Sequence, residues 1–242
     1  MSYIYECENK NYEDFASGRV IYNQRGATAF PVRLASEVFL RSKEYLTEQK
    51  VKKPFTIYDP CCGIAYLLTI LGFLHGNCIE RIIGSDIDKG MIELAQRNLN
   101  LLTSQGIDDR ISEIKDYIND YNKKSHKDAL KSAIKLKSIQ ETLNNIGLNC
   151  FRADALKIHN FNSKVDLVIT DLPYDNLTTW SKNDENNITI FLNNLLRFTK
   201  STSIVAIITS KKQKIKHGKY NRIKHFTIGK RRVSFLEPLN RH

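Results

Sequence analysis

The chain has no apolar stretch of membrane-spanning length, and its mean hydropathy is −0.39. Both argue against a membrane-spanning protein. Its start, Met1-Ser2-Tyr3-Ile4-Tyr5-Glu6, lacks the basic-then-apolar order of a secretory signal. Cysteines are few and odd in number, five, at positions 7, 61, 62, 78 and 150, with no Cys-x-x-Cys pair. A zinc site and a disulfide framework are therefore not expected, no metal is assigned, and a reducing cytoplasm is the simple reading. Only five prolines and 11 glycines occur in 242 residues, and no linker-like stretch or internal repeat is seen. With 41% hydrophobic residues the chain can bury a core, so disordered and fibrous classes are excluded.

Acidic residues are missing from one region. Between Asn186 and Leu236 there are 12 Lys or Arg and no Asp or Glu. The whole chain has 37 basic and 26 acidic residues, so removing those 12 leaves 25 against 26. The entire net charge of +11 thus lives in one C-terminal tract. Segregated positive charge attracts polyanions, and nucleic acid is the common one. Candidate RNA-contacting residues are Lys211, Lys212, Lys214, Lys216, Arg222, Lys230, Arg231 and Arg232. A solvated Lys-rich surface is the plain alternative.

Hydrophobic periodicity predicts strands alternating with helices. Helices are expected over Pro31–Lys50, Ala65–Leu74, Met91–Leu102 and Ile190–Phe198. Strands are expected at Phe55–Tyr58, Arg81–Ser85, Leu148–Arg152, Val165–Thr170 and Ser203–Thr209. A closing hairpin, Ile223–Ile228 and Arg232–Leu236, turns at Gly229-Lys230. This alternation implies an α/β, Rossmann-like doubly wound sheet, mostly parallel and seven-stranded, with helices on both faces. We divide the chain into an N-terminal helical segment, 1–53, and a core, 54–242, interrupted by an insertion at 103–147. The insertion reads as two amphipathic helices, with Ile111, Ile114, Ile118 and Tyr121 on one stripe and Leu130, Ala133 and Ile134 on another. Either it positions a substrate or it only packs on the core.

Asp59, Asp86, Asp154 and Asp171 each fall at or just after the end of an expected strand. Ligands of open α/β sheets bind outside that edge. One such Asp is commonly a helix cap; four in register point to a polar ligand. Asp59-Pro60-Cys61-Cys62-Gly63 offers small residues for close backbone approach, but Gly-x-Gly-x-x-Gly is absent, which disfavours a nicotinamide enzyme. Asp86 lies 23 residues after Gly63, suited to ribose hydroxyls, while Asp88 is expected to cap the next helix. In Asp171-Leu172-Pro173-Tyr174 a stiff proline turn holds an acceptor, a backbone carbonyl and an aromatic face together. Such a trio suits a flat base, and a plain strand-to-loop turn is the alternative.

These four motifs in order resemble class I S-adenosylmethionine-dependent methyltransferases. Asp171-Leu172-Pro173-Tyr174 resembles their Asn/Asp-Pro-Pro-Tyr motif, found in enzymes that methylate base nitrogens. More closely, Phe30-Pro31-Val32-Arg33-Leu34-Ala35-Ser36-Glu37, Asp59 to Gly63 with Tyr66-Leu67-Leu68-Thr69, and Thr170 to Tyr174 with Trp180 resemble the avilamycin-resistance ribosomal RNA methyltransferases. The resemblance covers most of the chain. It implies methylation of a guanine nitrogen in large-subunit 23S rRNA, with S-adenosyl-L-methionine as cofactor; ribosomal RNA is the expected partner of a monomeric protein. It further implies that Asp59, Cys61 and Gly63 line the methionine end, that Asp86 holds the ribose and that Asp154 lies by the adenine. Phe30 and Arg33 would lie against the cofactor, and Asp171, Leu172, Pro173 and Tyr174 would receive the base. Ala65 stands where the family's second glycine is usual, after Ile64 in place of Ser, and Leu172 replaces a proline. A DNA adenine-N6 methyltransferase, a small-molecule methyltransferase and a non-catalytic RNA-binding protein on this scaffold are the rivals. Ala65 is the best argument for the last.

Overall fold

The computed structural model describes residues 3–24, 29–158, 161, 163–172 and 184–239, with backbone only for 184 and 185. Among these, helices and strands alternate in the order α1 (Val32–Glu48), β1 (Phe55–Asp59), α2 (Tyr66–His75), β2 (Ile79–Asp86), α3 (Lys89–Asn100), α4 (Ser104–Tyr121), α5 (Lys124–Gln140), β3 (Gly147–Arg152), β4 (Val165–Asp171), α6 (Asp184–Leu195), β5 (Thr199–Ser210), β6 (Tyr220–Ile228) and β7 (Arg231–Pro238). The strands form one sheet in the order β3-β2-β1-β4-β5-β7-β6. The first five in that order run parallel, and β7 pairs antiparallel with both β5 and β6. The chain winds from β1 outwards to β3, then returns to place β4 on the other side of β1. The topological switch point, where such sheets open a ligand crevice, therefore lies between the ends of β1 and β4.

Burial on both sides explains the continuous apolar runs of the central strands. Ile57, Ile82, Leu167, Ile169, Ile208, Val233 and Phe235 join the core on the face packed by α1, α2 and α3. Tyr58, Ile83, Val168, Ile207 and Leu236 face the other way. The two faces are unequally clothed. The insertion helices α4 and α5 add Ile107, Ile114, Ala129, Ala133 and Leu136 to the first core. The second face has α6 and loop residues such as Ile215. The insertion packs on the core, but its buried stripe differs from the expected one: Tyr121 and Ile134 are exposed, and Arg110 is buried. Arg110 and Arg97 both lie over the Tyr22 ring, at 4.2 and 3.9 Å from its centroid, and Glu113 bonds both guanidinium groups and the Tyr22 hydroxyl. No described helix is long and apolar enough to cross a membrane.

Segment 3–7 is bound to the first half of α1. The Glu37 carboxylate accepts the backbone N–H groups of Ile4, Tyr5 and Glu6 at 2.8, 3.0 and 2.9 Å. It is fully buried and paired with Arg41 at 2.7 Å. Arg33 donates to the carbonyls of Glu6 and Cys7, and its guanidinium lies 4.0 Å from the Tyr3 ring centroid. The Ser36 hydroxyl donates to the Glu6 carboxylate and meets His75 Nε2 at 2.9 Å. Three of the eight residues of Phe30–Glu37 thus clamp the N-terminal segment.

Candidate active site

Parallel strands point their C-terminal ends to one edge, and alternation of side chains does the rest. Asp59, Asp86 and Asp171 each lie an even number of residues beyond Ile57, Ile82 and Ile169, so all three stand on the α1–α2 face of the sheet. Arg231 shares that face with Val233 and Phe235, because β7 runs antiparallel and begins where β5 ends, with Arg231 opposite Ser210.

Asp59 is buried at the base of this group, with Oδ1 accepting the Cys61 N–H at 3.0 Å. Burial raises its pKa to about 7; Thr170 and the Cys61 N–H act against this, and the charges of Asp86 and Asp171 add to it. The three carboxylates are thus within electrostatic reach of one another. Burial also pushes the Cys61 thiol well up, helped by Asp59, Asp86 and Asp154. Cys61 therefore stands as a neutral thiol beside all of them.

Asp86 spans two loops. Its Oδ2 accepts the Gly63 N–H at 2.9 Å and its Oδ1 accepts the Asp88 N–H at 3.0 Å. Each oxygen keeps a further lone pair for a ligand. Asp88 caps α3 as expected, accepting from Gly90 and Met91. Gly63 has φ +54°, and a Cβ built there would meet nothing within 4 Å, so the loop leaves open space at its apex. After β3, Asp154 caps its own turn through the Leu156 N–H at 3.0 Å, while the Ala153 N–H ties this loop to the Asp86 carbonyl.

Asp171 ends β4 across the switch point. Burial raises its carboxyl to about 7, and the Arg231 guanidinium opposes that shift. The Arg231 Nε to Asp171 Oδ2 distance is 3.9 Å. Phe30 is buried beside them, its ring centroid 5.3 Å from the Arg231 guanidinium.

The chain that carries this carboxylate rim matches a known family over nearly its whole length. The description of the rRNA methyltransferase AviRa fits residues 1–231. This chain belongs to the AviRa family of rRNA methyltransferases. An AviRa relative from Streptomyces viridochromogenes, a 23S rRNA (guanine(2535)-N(1))-methyltransferase, is 37% identical over 186 residues, which is 74% of this chain and 73% of the relative. Crystal structures of AviRa from that organism, at 1.5 and 2.4 Å, superpose with TM-scores of 0.89 and 0.88 at 30% identity, covering 98% of this chain and 96% of theirs. TrmN from Thermus thermophilus shares the fold at 16% identity, with a TM-score of 0.52 over 86% of this chain and 53% of its own.

Within this AviRa scaffold the expected residues divide. Asp59, Cys61, Gly63, Asp86, Asp154, Asp171 and Phe30 sit on or around the rim. Leu172 follows Asp171 but turns its side chain into the second core, so only its backbone is available. Arg33 is not brought to the carboxylates: its fork of donors is taken up by the N-terminal segment. Pro173, Tyr174 and Trp180 lie outside the described residues. Of the basic tract, Lys211, Lys212 and Lys230 are exposed at the rim, where the Lys211 N–H meets the Lys230 carbonyl at 2.8 Å. Lys214 and Lys216 are exposed on the loop that follows, and Arg232 points to the opposite face from Arg231. Arg222 pairs with Leu236 low on the hairpin, about 20 Å below the rim at the usual strand rise. Ile87 was not singled out from the sequence. It is 55% exposed directly after Asp86, and an aliphatic residue between Asp86 and Asp88 was the signal available.

Ala65, in place of the second glycine, has φ 55° and ψ 28°. It holds the left-handed backbone a glycine would take, so the turn into α2 is preserved at a cost in strain. Ala65→Gly should remove about 1–2 kcal/mol of strain and give back about 0.5–1 in backbone entropy. A small net gain in a chemical unfolding experiment is expected; a loss of stability would show that the Ala65 methyl contributes packing that outweighs the strain.

Proposed function

We propose that this chain transfers a methyl group from S-adenosylmethionine to N1 of a guanine in 23S rRNA. The observation that carries the reading is Asp171, a largely buried carboxylate at the switch point with a pKa raised to about 7. N1 of guanine bears a proton that must leave before its lone pair can attack. A base with a pKa near the working pH suits that removal. The Streptomyces relative, a guanine-N1 methyltransferase of 23S rRNA, agrees with it.

The residues present fit the cofactor. The open space over Gly63 admits a close-packed ligand, and the spare lone pairs of Asp86 can accept two ribose hydroxyls. Ile87 offers an exposed apolar side chain for a flat adenine. Asp59 and Cys61 line the loop below. When bound, S-adenosylmethionine supplies the methyl on a sulfonium carbon whose leaving group is already activated. The protein's own part is to hold the base in line, to exclude water and to accept the N1 proton on Asp171.

Radiolabelled S-adenosylmethionine with purified rRNA, followed by nucleoside digestion and mass spectrometry, tests this. Label in 1-methylguanosine from 23S rRNA is expected. Label on another nucleoside or on DNA adenine, or none at all, overturns it. The exposed rim lysines would position the RNA through its phosphates. Replacing Lys211 and Lys212 with Gln should flatten the salt dependence of RNA affinity by about 1 to 2 units of slope, while Arg222→Gln leaves it unchanged. An equal loss of slope in both proteins would move the RNA path off the rim.

A further inference from the structure

Buried polar atoms at the rim are unmet among the described residues. Asp171 Oδ1 and Arg231 Nε are both shielded from solvent, and neither has a hydrogen-bond partner among the described residues. Their side chains are neighbours, yet the 3.9 Å between Arg231 Nε and Asp171 Oδ2 is an ion pair without a hydrogen bond. Leaving one buried donor and one buried acceptor unsatisfied is costly, and unmet groups in a folded protein call for an explanation. Side by side they are complementary to a ligand that carries a donor and an acceptor on adjacent positions. The guanine edge does so, with N1–H next to the C6 carbonyl.

Resting on the reading above, we propose that Arg231 binds O6 of the target guanine and stabilises the negative charge that forms there as N1 gives its proton to Asp171. The N1–H bond breaks and its proton goes to the Asp171 carboxylate. The electron pair left on N1 is shared with O6, where the Arg231 N–H meets it. As the new N1–carbon bond forms, the pair returns to N1 and O6 is again a neutral carbonyl oxygen. A guanidinium aimed at the place where charge develops acts most strongly in a water-poor site.

The same pair discriminates between bases. Adenine presents an amino group where guanine presents O6, so its N–H would face the Arg231 N–H, and its N1 acceptor would face an ionised Asp171. Both contacts are repulsive, which is the usual route to strong rejection of a wrong base. The placement of Arg231 is built into the fold. Antiparallel register puts it opposite Ser210 and on the same face as Asp171, and the buried Phe30 ring supports the guanidinium from one side. Lys230, in the turn, is exposed, and Arg232 belongs to the other face.

Steady-state kinetics on a 23S rRNA substrate with Arg231→Gln test the assignment. We expect kcat to fall about 10²–10³-fold, the loss typical of one oxyanion donor, with KM for RNA and its salt dependence nearly unchanged. The acid limb of the pH–rate profile should also move to higher pH, because Arg231 acts against the raised Asp171 pKa. Arg231→Met, which keeps the aliphatic stem against Phe30, is the second variant should the first unfold, and the same outcome is expected. Wild-type kcat with a raised KM and a shallower salt slope would mark Arg231 as a phosphate contact and overturn the proposal. So would a fall in kcat without movement of the acid limb. Absence of 1-methylguanosine with the wild-type protein is a different failure, since it removes the parent reading before Arg231 is tested.

Discussion

Asp171→Asn should lower the rate of methyl transfer about 10²–10⁴-fold, the range for loss of a positioned general base. The amide has nearly the same shape and still accepts one hydrogen bond, but it cannot take the N1 proton. RNA and cofactor affinities should stay close to wild type. In the wild type, the working form is the ionised carboxylate, so activity should rise as pH climbs through about 7. That limb should be missing from the residual activity of the variant. Stability should change in the opposite direction. The folded pKa lies above the ordinary carboxylate value of about 3.9, so ionisation is disfavoured in the folded protein, and the stabilising influence of the protonated form is lost as pH rises through the folded value. Removing the charge should therefore raise the melting temperature at pH 8. A variant with wild-type kcat would remove Asp171 from the chemistry.

Glu37→Gln should be the most damaging substitution away from the rim. It removes one charge from a fully buried ion pair with Arg41, a change that typically costs about 3–5 kcal/mol. It also weakens the three backbone hydrogen bonds that hold segment 4–6. The melting temperature should fall on the order of 10 °C for a chain of this size. Burial by itself would raise the Glu37 pKa, but the N–H groups of Glu6 and Ile4 and the Arg41 guanidinium outweigh it and hold the pKa below the usual range. Its contribution is therefore fully present above the unfolded pKa and lost as pH falls through the folded one. Acid titration of wild type and variant by circular dichroism should show a wild-type stability loss that the variant lacks. Equal melting temperatures would mean that the clamp contributes nothing.

The sheet was legible because its central strands are buried on both faces and read as unbroken apolar runs. Strand ends were less so: β6 begins at Tyr220 rather than Ile223, because Asn221 and Arg222 are two exposed polar residues in a row before a register shift and break the alternation. The first turns of α6, Asp184 to Asn187, are polar, so periodicity starts the helix only at Ile190. In the insertion, a stripe drawn through aliphatic residues missed Arg110, whose guanidinium is buried by stacking on Tyr22 and donating to the Val20 carbonyl. Asp59, Asp86 and Asp171 could be grouped from sequence because each ends a strand of the same sense. Arg33 and Arg231 could not be assigned that way. Arg33 belongs to a clamp whose other half lies 27 residues earlier, at Glu6. Arg231 is one cation in a basic run, and only the antiparallel register of β7 sets it on Asp171.

The cations near the rim stand in two kinds of place. Arg231 is paired with Asp171 at the strand ends, whereas Lys211, Lys212 and Lys230 stand exposed on loops. Loops drift in length and composition more easily than strands do. Lineages sharing this scaffold could thus acquire a new RNA docking site by remodelling two short surface connections, while the carboxylate rim passes on unaltered.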